Sequence, residues 1–573
     1  MSFGAASYKT AKEAFVADGT GSSVAHVNLL SLSAVLSVAL HVVLLKRLPP
    51  PFTRGLPLFF LSLLTLILPL LLAITLFAPS PARYSAALAV LTAAAFLLPV
   101  RESGTPLPSS AADAQDRRAH AVAPLPALTT YRAHMLLMTA LCILAVDFKV
   151  FPRMLAKCET YGASLMDIGV GSFVFSQGIA AAHPLIRDPA HLAAPLPPKL
   201  ARAARKAAPI LALGLVRVLL VKGTEYPEHV TEYGVHWNFF LTLALLPVLQ
   251  ILLHPLLAQH ILSIPALGFT LCAAHQLLLS AGLATYILTA PRTASLLSAN
   301  REGILSLPGY LALHVLGLAA GTAVLPPSPS AFRRMLARRS GARRKKDDDY
   351  DSSDGDEGAE GKDVKVKGRD GAGEALYREN DKTATVLFAW SLIYWSALGA
   401  CMFLGIGTGI SRRMVNAQYI LWTAAYNTTF LLLYLALDLL LCPSPLSTSV
   451  YDPVSHLKVR ARANTHDGRA APAAPRLLDA VNRNGLAFFL LVRRPFVLPA
   501  YSPSSRVPPP APFSSPRPRH ILTPHTQANL ATGAVNLSMQ TLYASDATAL
   551  AVLALYASAL CAFAWALADR RLL

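Results

Sequence analysis

Long apolar runs separated by short polar breaks make up most of this chain. Twelve can be delimited, at about 25–45, 57–78, 82–100, 133–148, 164–182, 207–221, 237–254, 262–288, 305–324, 384–405, 417–441 and 546–567. An α-helix needs roughly 20 apolar residues to cross a bilayer, and 57–78, PLFFLSLLTLILPLLLAITLFA, shows the type. Inside lipid the backbone must satisfy its own N–H and C=O groups, which leaves helices for segments of this length. The pattern predicts an all-α polytopic membrane protein, a bundle of about 13 transmembrane helices in a single membrane-embedded domain over 1–573. The first run keeps Lys46 and Arg47 at its far end, with no small-residue cleavage site after it. It reads as a retained helix rather than a removed signal peptide.

The thirteenth helix is split. GLAFFLL (485–491) is too short to span, the apolar stretch after Ala528 is short as well, and 492–527 between them is a Pro/Arg-rich insertion. Joining Leu491 to Ala528 would restore one span of about 23 residues. Proline and arginine do not continue a helix in lipid. The insertion keeps the reading frame, and its first Val and last Gln permit a GT donor and an AG acceptor. Those are the marks of a retained intron.

Charge changes the picture next. Only 14% of residues are charged, against about 25% in soluble domains. A net charge of +19 would suggest nucleic acid in a soluble protein, but here the cations sit in alternate loops. KRLPPPFTR, RESG…DRR, KLARAARK, RRMLARRSGARRKK and HLKVRARA follow segments 1, 3, 5, 9 and 11. The positive-inside rule puts these in the cytosol, the N-terminus in the lumen and the C-terminus in the cytosol. No nucleic-acid partner is expected; membrane lipids are the surroundings, and no protein partner can be read. Residues 101–130, 326–382 and 443–476 read as flexible cytosolic loops, the second running into the acidic stretch DDDYDSSDGDEGAEGKD.

The loops after segments 4, 6, 8 and 10 lie on the opposite face and hold acids, amides and aromatics: FKVFPRMLAKCETYG, KGTEYPEHVTEYG, APRTASLLSANREG and GISRRMVN. The block around the first is the densest, with Asp147, Lys149, Arg153, Lys157, Glu159 and Asp167 between and inside two apolar runs. Charges at such depth are costly unless paired or functional. Elsewhere the sequence is quieter. Six cysteines form no CxxC pair, sixteen histidines form no HExxH, and no Walker A or dinucleotide-binding glycine motif appears. No metal and no tightly bound cofactor are expected. His183 and Asp188 fit the HxxxxD spacing of glycerol-phosphate-type acyltransferases, but they lie in a Pro-rich loop on the cytosolic face and lack that family's other blocks. Asn427 and Asn536 head glycosylation sequons inside apolar spans, where glycosylation is not expected.

ILAVDFKVFPRMLAKCETYGASLMDIGVGSFVFS (143–176) resembles the inositol acyltransferases of GPI-anchor biosynthesis, the family of the fungal GPI-anchored wall transfer proteins and animal PIG-W. The likeness recurs in KEAFV (12–16), TEYGVHWNFF (231–240), NREGILSLPGY (300–310), SRRMVNAQYILW (411–422), AYNTTFLLLYL (425–435), NRNGLAFFLL (482–491) and ANLATGAVNLSM (528–539), in family order. The resemblance implies an endoplasmic reticulum membrane enzyme. It would transfer a fatty acyl chain, typically palmitoyl in that family, from the co-substrate acyl-CoA to the inositol 2-hydroxyl of glucosaminyl-phosphatidylinositol. The competing class is a multi-pass lipid transporter or flippase, which hydropathy alone does not separate; no second copy of the DFKVFPR or TEYG blocks marks the internal repeat common in transporters.

That chemistry needs a base for a weakly acidic hydroxyl and a cation or donors for the thioester oxyanion. We assign Asp147 as base and Lys157 as its partner or oxyanion stabiliser; the resemblance supports both positions, and the division of roles is inference. Arg153, Arg301, Arg412 and Arg413 are candidates for the phosphate. Glu159, Asp167, Glu232 and Glu302 are candidates for the amine or hydroxyls, and His236, Asn238, Asn300, Asn416 and Asn427 for hydroxyls. Gly162, Gly169 and Gly171 are expected to let helices approach closely around segment 5.

Overall fold

The computed structural model describes residues 8, 11–12, 14–99, 125–221, 230–259, 261–337, 378–441, 474–485, 532, 535–536 and 538–568. All twelve apolar runs are helices: α1 Val24–Leu45, α2 Gly55–Ile74, α3 Pro81–Phe96, α4 Pro126–Ala145, α5 Leu165–Ala181, α6 Leu196–Val221, α7 Phe239–Ala258, α8 Ile264–Thr289, α9 Leu307–Val324, α10 Asn380–Phe403, α11 Ala417–Leu441 and α12 Asp546–Ala566. Ten helices among the described residues are long and apolar enough to cross a membrane, against the expected 13 or so. The remaining two of the twelve are α3, short at 16 residues, and α6, basic in its first half. The insertion 492–527 and the helix it splits lie mostly outside the described residues. An isolated antiparallel bridge joins Ser22 and Ala163.

Two helices begin earlier than hydropathy predicts, for physical reasons. α4 starts at Pro126, where proline gives up only an N–H that a helix start leaves unsatisfied anyway. α6 starts at Leu196 and carries Lys199, Arg202, Arg205 and Lys206 on its first turns; their aliphatic stems let a basic stretch continue an apolar helix. The loops read at 101–130 and 326–382 therefore narrow. Residues 126–130 are helical, and Arg378 is buried, donating to the carbonyls of Val324 and Leu325 and to Asn380 Oδ1. Residues 331–337 are helical as well, with Phe332 buried, and 380–382 open α10, so only 101–124, 338–377 and most of 443–476 lie outside the described residues.

At the centre, α5 packs on α9 backbone to backbone. A Cβ on Gly178 would stand 2.1 Å from the His314 carbonyl oxygen, one on Gly317 2.3 Å from that of Phe175, and one on Gly321 2.5 Å from that of Ile179. Of the three glycines expected to serve helix packing around segment 5, only Gly171 does, against Thr423 and Tyr419 of α11. Gly169 faces only Thr139 Oγ1 at 3.7 Å, and Gly162 serves a loop instead.

The alternation of loops holds. At one end Arg47 donates to the carbonyls of Phe96 and Leu98, Lys46 reaches the Leu441 carbonyl, and Asn484 donates to that of Leu567. At the other end the loops after α4, α6, α8 and α10 interlock. Gly162 N donates to Ile410 O at 2.8 Å, Val235 N to Ala299 O at 3.0 Å, and Ser411 Oγ to Thr160 O at 2.6 Å.

Crowding makes a paired test of the core. Gly178→Ala should lower thermal stability in detergent, by about 1–3 kcal/mol for overpacking, while Gly169→Ala should leave the melting temperature nearly unchanged. Equal stability of the two variants would contradict the close α5–α9 contact.

Candidate active site

The loop after α4 is pinned by its own apolar residues. Phe148, Phe151 and Leu155 are each 0% exposed, and a single turn at Arg153–Leu155 reverses the chain. The segment before α1 lies along this loop like a strap. Lys12 meets Asp147, the Phe15 ring lies 4.6 Å from the Arg153 guanidinium, Gly19 O accepts from Glu159 N at 3.0 Å, and Ser22 N donates to Ala163 O at 2.7 Å. Gly162 has φ +137°, and a Cβ there would sit 2.2 Å from Thr20 O, so the strap's seat requires glycine.

Asp147 is almost fully buried and does not pair with Lys157. Its Oδ1 lies 3.1 Å from Lys12 Nζ, and its Oδ2 accepts from Asn536 Nδ2 at 2.8 Å. Lys12 also donates to Asn536 Oδ1 at 3.0 Å, which closes a three-membered ring. Thr541 Oγ1 donates to the same Asn536 Oδ1, which sets that amide's orientation. The Asp147–Lys157 ion pair expected from the sequence is thus replaced. An N-terminal cation and a C-terminal amide stand in its place, because a carboxylate buried at α4's end takes the partners that the strap and the residues before α12 bring to it.

Lys157 belongs to a second network. Its Nζ binds both oxygens of Glu232, at 2.8 and 2.9 Å, and Arg412 Nη2 stands 4.0 Å from Glu232 Oε1. Arg412 Nε binds Asp167 Oδ1 at 2.6 Å, with both side chains 3% exposed or less. Asp167 Oδ2 accepts from Cys158 N and Ser164 Oγ. Burial alone would lower the Arg412 pKa, but Asp167 and Glu232 outweigh it and hold it well above its ordinary value. Lys157, 37% exposed, is the open edge of this network.

A third cluster gathers on Glu302, which is 0% exposed. Arg292 holds it with two hydrogen bonds, of 3.0 and 2.6 Å, and Arg413 Nη2 adds one of 2.8 Å. Arg301 Nε lies 3.6 Å away and donates to Ile287 O, its Nη1 to Ala290 O. The neighbours Arg412 and Arg413 therefore serve different carboxylates and tie the two clusters together.

Other predicted site residues have structural work. Asn238 caps α7 through Phe240 N and Leu241 N and donates to Gly214 O. Asn300 Oδ1 accepts from His236 N, and Asn416 Oδ1 accepts from Ser411 N and Tyr419 N at the start of α11. Asn427 is buried in mid-helix, accepting from Tyr131 OH and donating to Thr423 O. Arg153 donates to Val146 O. Glu159 is exposed, and its carboxylate joins none of the three networks among the described residues. His183 and Asp188 form no ion pair there either; Asp188 caps the turn at Ala190 N.

The GWT1 family model matches residues 8–492 and 519–567. The chain belongs to the GWT1 family. A GPI-anchored wall transfer protein 1 from Aspergillus oryzae is 35% identical over 583 residues, covering 98% of this chain and 98% of its own. Its counterpart from Aspergillus fumigatus is 34% identical over 576 residues, covering 98% of this chain and 97% of its own. One from Cryptococcus neoformans var. grubii is 38% identical over 464 residues, covering 78% of this chain and 63% of its own, so the chain spans less than two thirds of that relative. The stretch that the GWT1 model leaves unmatched, 493–518, falls within the Pro/Arg-rich insertion.

Sequence reasoning missed Lys12, Asn536 and Arg292. The first two lie in blocks that carry the family resemblance, KEAFV and ANLATGAVNLSM, and that was the available signal.

In this GWT1-family chain Arg412→Met should cost about 3–5 kcal/mol, by leaving Asp167 buried without its cation. The double variant Arg412→Met/Asp167→Asn should recover part of the loss in thermal unfolding. A double variant less stable than the single one would show that the pair does not carry this coupling.

Proposed function

We propose that this protein acts in GPI-anchor biosynthesis by transferring a fatty acyl chain from acyl-CoA to the inositol 2-hydroxyl of glucosaminyl-phosphatidylinositol. The observation that carries the proposal is the convergence, at one end of the bundle, of the loops after α4, α6, α8 and α10 into ion-paired networks, one of which holds Lys157, with the Asp147 ring at the start of the first of these loops. Membership of the GWT1 family and the likeness to GPI-anchored wall transfer proteins support the GPI-linked role.

The roles follow from the partners. Lys12 and Asn536 hold the Asp147 side chain in place, and Asp147 takes the hydroxyl proton as the inositol oxygen attacks the thioester carbon. Lys157, less buried and held by Glu232, faces the negative charge that forms on the thioester oxygen. As the intermediate collapses the C–S bond breaks, and the proton passes from Asp147 to the departing sulfur to give CoA thiol. Burial, followed by the nearby Asp167 carboxylate, pushes the Cys158 thiol up, which disfavours a thiolate nucleophile and supports direct transfer over an acyl-cysteine intermediate. We place this end of the bundle in the endoplasmic reticulum lumen, because the Lys/Arg-rich loops are at the other end. The N-terminus is then lumenal and the C-terminus cytosolic.

Purified protein given palmitoyl-CoA and glucosaminyl-phosphatidylinositol should yield the acylated glycolipid, which a transporter or flippase would not make. Asp147→Asn and Lys157→Ala should each lower the rate by roughly 10²–10⁴-fold, while Cys158→Ser should stay within a few-fold of wild type. More than a tenth of the activity left in both Asp147 and Lys157 variants would remove them from the chemistry.

Sidedness has its own check. In sealed microsomes an impermeant thiol reagent should label Arg333→Cys directly and Glu159→Cys only after permeabilisation, in a background lacking the native cysteines. Immediate labelling of Glu159→Cys would reverse the orientation.

A further inference from the structure

The three charged clusters differ in balance. Lys157 and Arg412 face Glu232 and Asp167, two charges of each sign. Lys12 answers Asp147. The third cluster is not balanced: Arg292, Arg301 and Arg413 share the single carboxylate of Glu302, and no other acidic group lies within 4.0 Å of these guanidiniums among the described residues. Excess charge of one sign at a membrane boundary is costly unless an anion accompanies it.

The unused donors point the same way. Arg301 is spent on the carbonyls of Ile287 and Ala290 as well as on Glu302. Arg413 is 10% exposed, binds Glu302 through Nη2, and has a buried Nε with no hydrogen-bond partner. Arg292, 26% exposed, is the open side of the cluster. Four and five residues further along the chain, Leu296 and Leu297 are 76% and 44% exposed, an apolar ledge close in sequence to a cationic edge.

We infer that Arg292 and Arg413 form a seat for a phosphoryl anion, that Glu302 fixes the spacing of the two guanidiniums, and that the anion is the phosphodiester of a glycerophospholipid whose acyl chains run past Leu296 and Leu297. Guanidinium forks match phosphate oxygens and hold them with charge-assisted hydrogen bonds. Arg412, committed to Asp167 and Glu232, is outside the seat, and Arg301 supports it from behind. The inference rests on the acyltransferase reading for the identity of the lipid, glucosaminyl-phosphatidylinositol, and adds Arg292 as a residue that orients it. The phosphates of CoA share this chemistry, so the test separates the two sources.

Equilibrium binding of glucosaminyl-phosphatidylinositol and of palmitoyl-CoA should be measured separately, on full-length protein in detergent micelles. Arg292→Gln and Arg413→Lys are the variants; the second keeps the charge and loses the fork, and melting curves confirm that each is folded. Glycolipid affinity should fall roughly 10- to 100-fold, with palmitoyl-CoA affinity within about twofold of wild type. A fall for palmitoyl-CoA alone would keep the phosphoryl seat and overturn its assignment to the phospholipid. Unchanged affinity for both ligands in folded Arg292→Gln would overturn the seat. Wild-type protein that binds the glycolipid and transfers no acyl group would sink the acyltransferase reading and leave the seat standing.

Discussion

Ionic groups that sit where water gives way to lipid must find their counter-charges within the protein, and this constraint shapes one whole end of the bundle. Arg412, nearly sealed from solvent, ties the loop before α11 to Asp167 on the first turn of α5. Through Glu232 it also holds the segment before α7 and the loop that carries Lys157. The pairing adds to the backbone and hydroxyl bonds that already hold those loops together. The glycine-lined α5–α9 contact fixes the same helix, α5, whose first turn carries Asp167. Packing in the apolar centre and ion pairing at its rim are two parts of one arrangement.

Much of this was legible in the chain. Apolar runs located every long helix, since length and hydropathy report directly on the cost of leaving backbone in lipid. Loop alternation told which connections share an end, because each crossing reverses direction. Helix starts were less visible: Pro126 and the basic turns of α6 are polar or charged and yet helical, and hydropathy averages do not register capping geometry or snorkelling side chains. The gathering of Asp167, Glu232, Arg412 and Lys157 followed from their loops, but the choice of partner did not. Asp147 and Lys157 are ten residues apart and seemed a natural pair; the fold instead bends Phe148, Phe151 and Leu155 inward between them and sends each charge to a different neighbour. Sequence distance is a poor guide once a buried turn intervenes.

The three networks also differ in what they leave exposed. The Asp147 ring is closed on itself, whereas Lys157 and Arg292 are the most accessible members of theirs. If the proposed substrates are a glycolipid and a thioester, they bring an amine, hydroxyls, a phosphate and a carbonyl, and a site with one rigid face and two open edges suits such groups without rebuilding itself. Rigidity of this kind is what positions a reacting oxygen to within a fraction of an ångström.

Lys12 and Asn536, the partners of Asp147, come from opposite ends of the polypeptide, 524 positions apart. A ribosome delivers Lys12 first, then Asp147, and Asn536 only when nearly all the helices have been made. The carboxylate thus waits through most of translation with its ring incomplete. The ring around Asp147 is therefore complete only after the chain beyond α11 has been made, and a chain cut before Asn536 would carry an unfinished ring whatever the quality of its earlier helices.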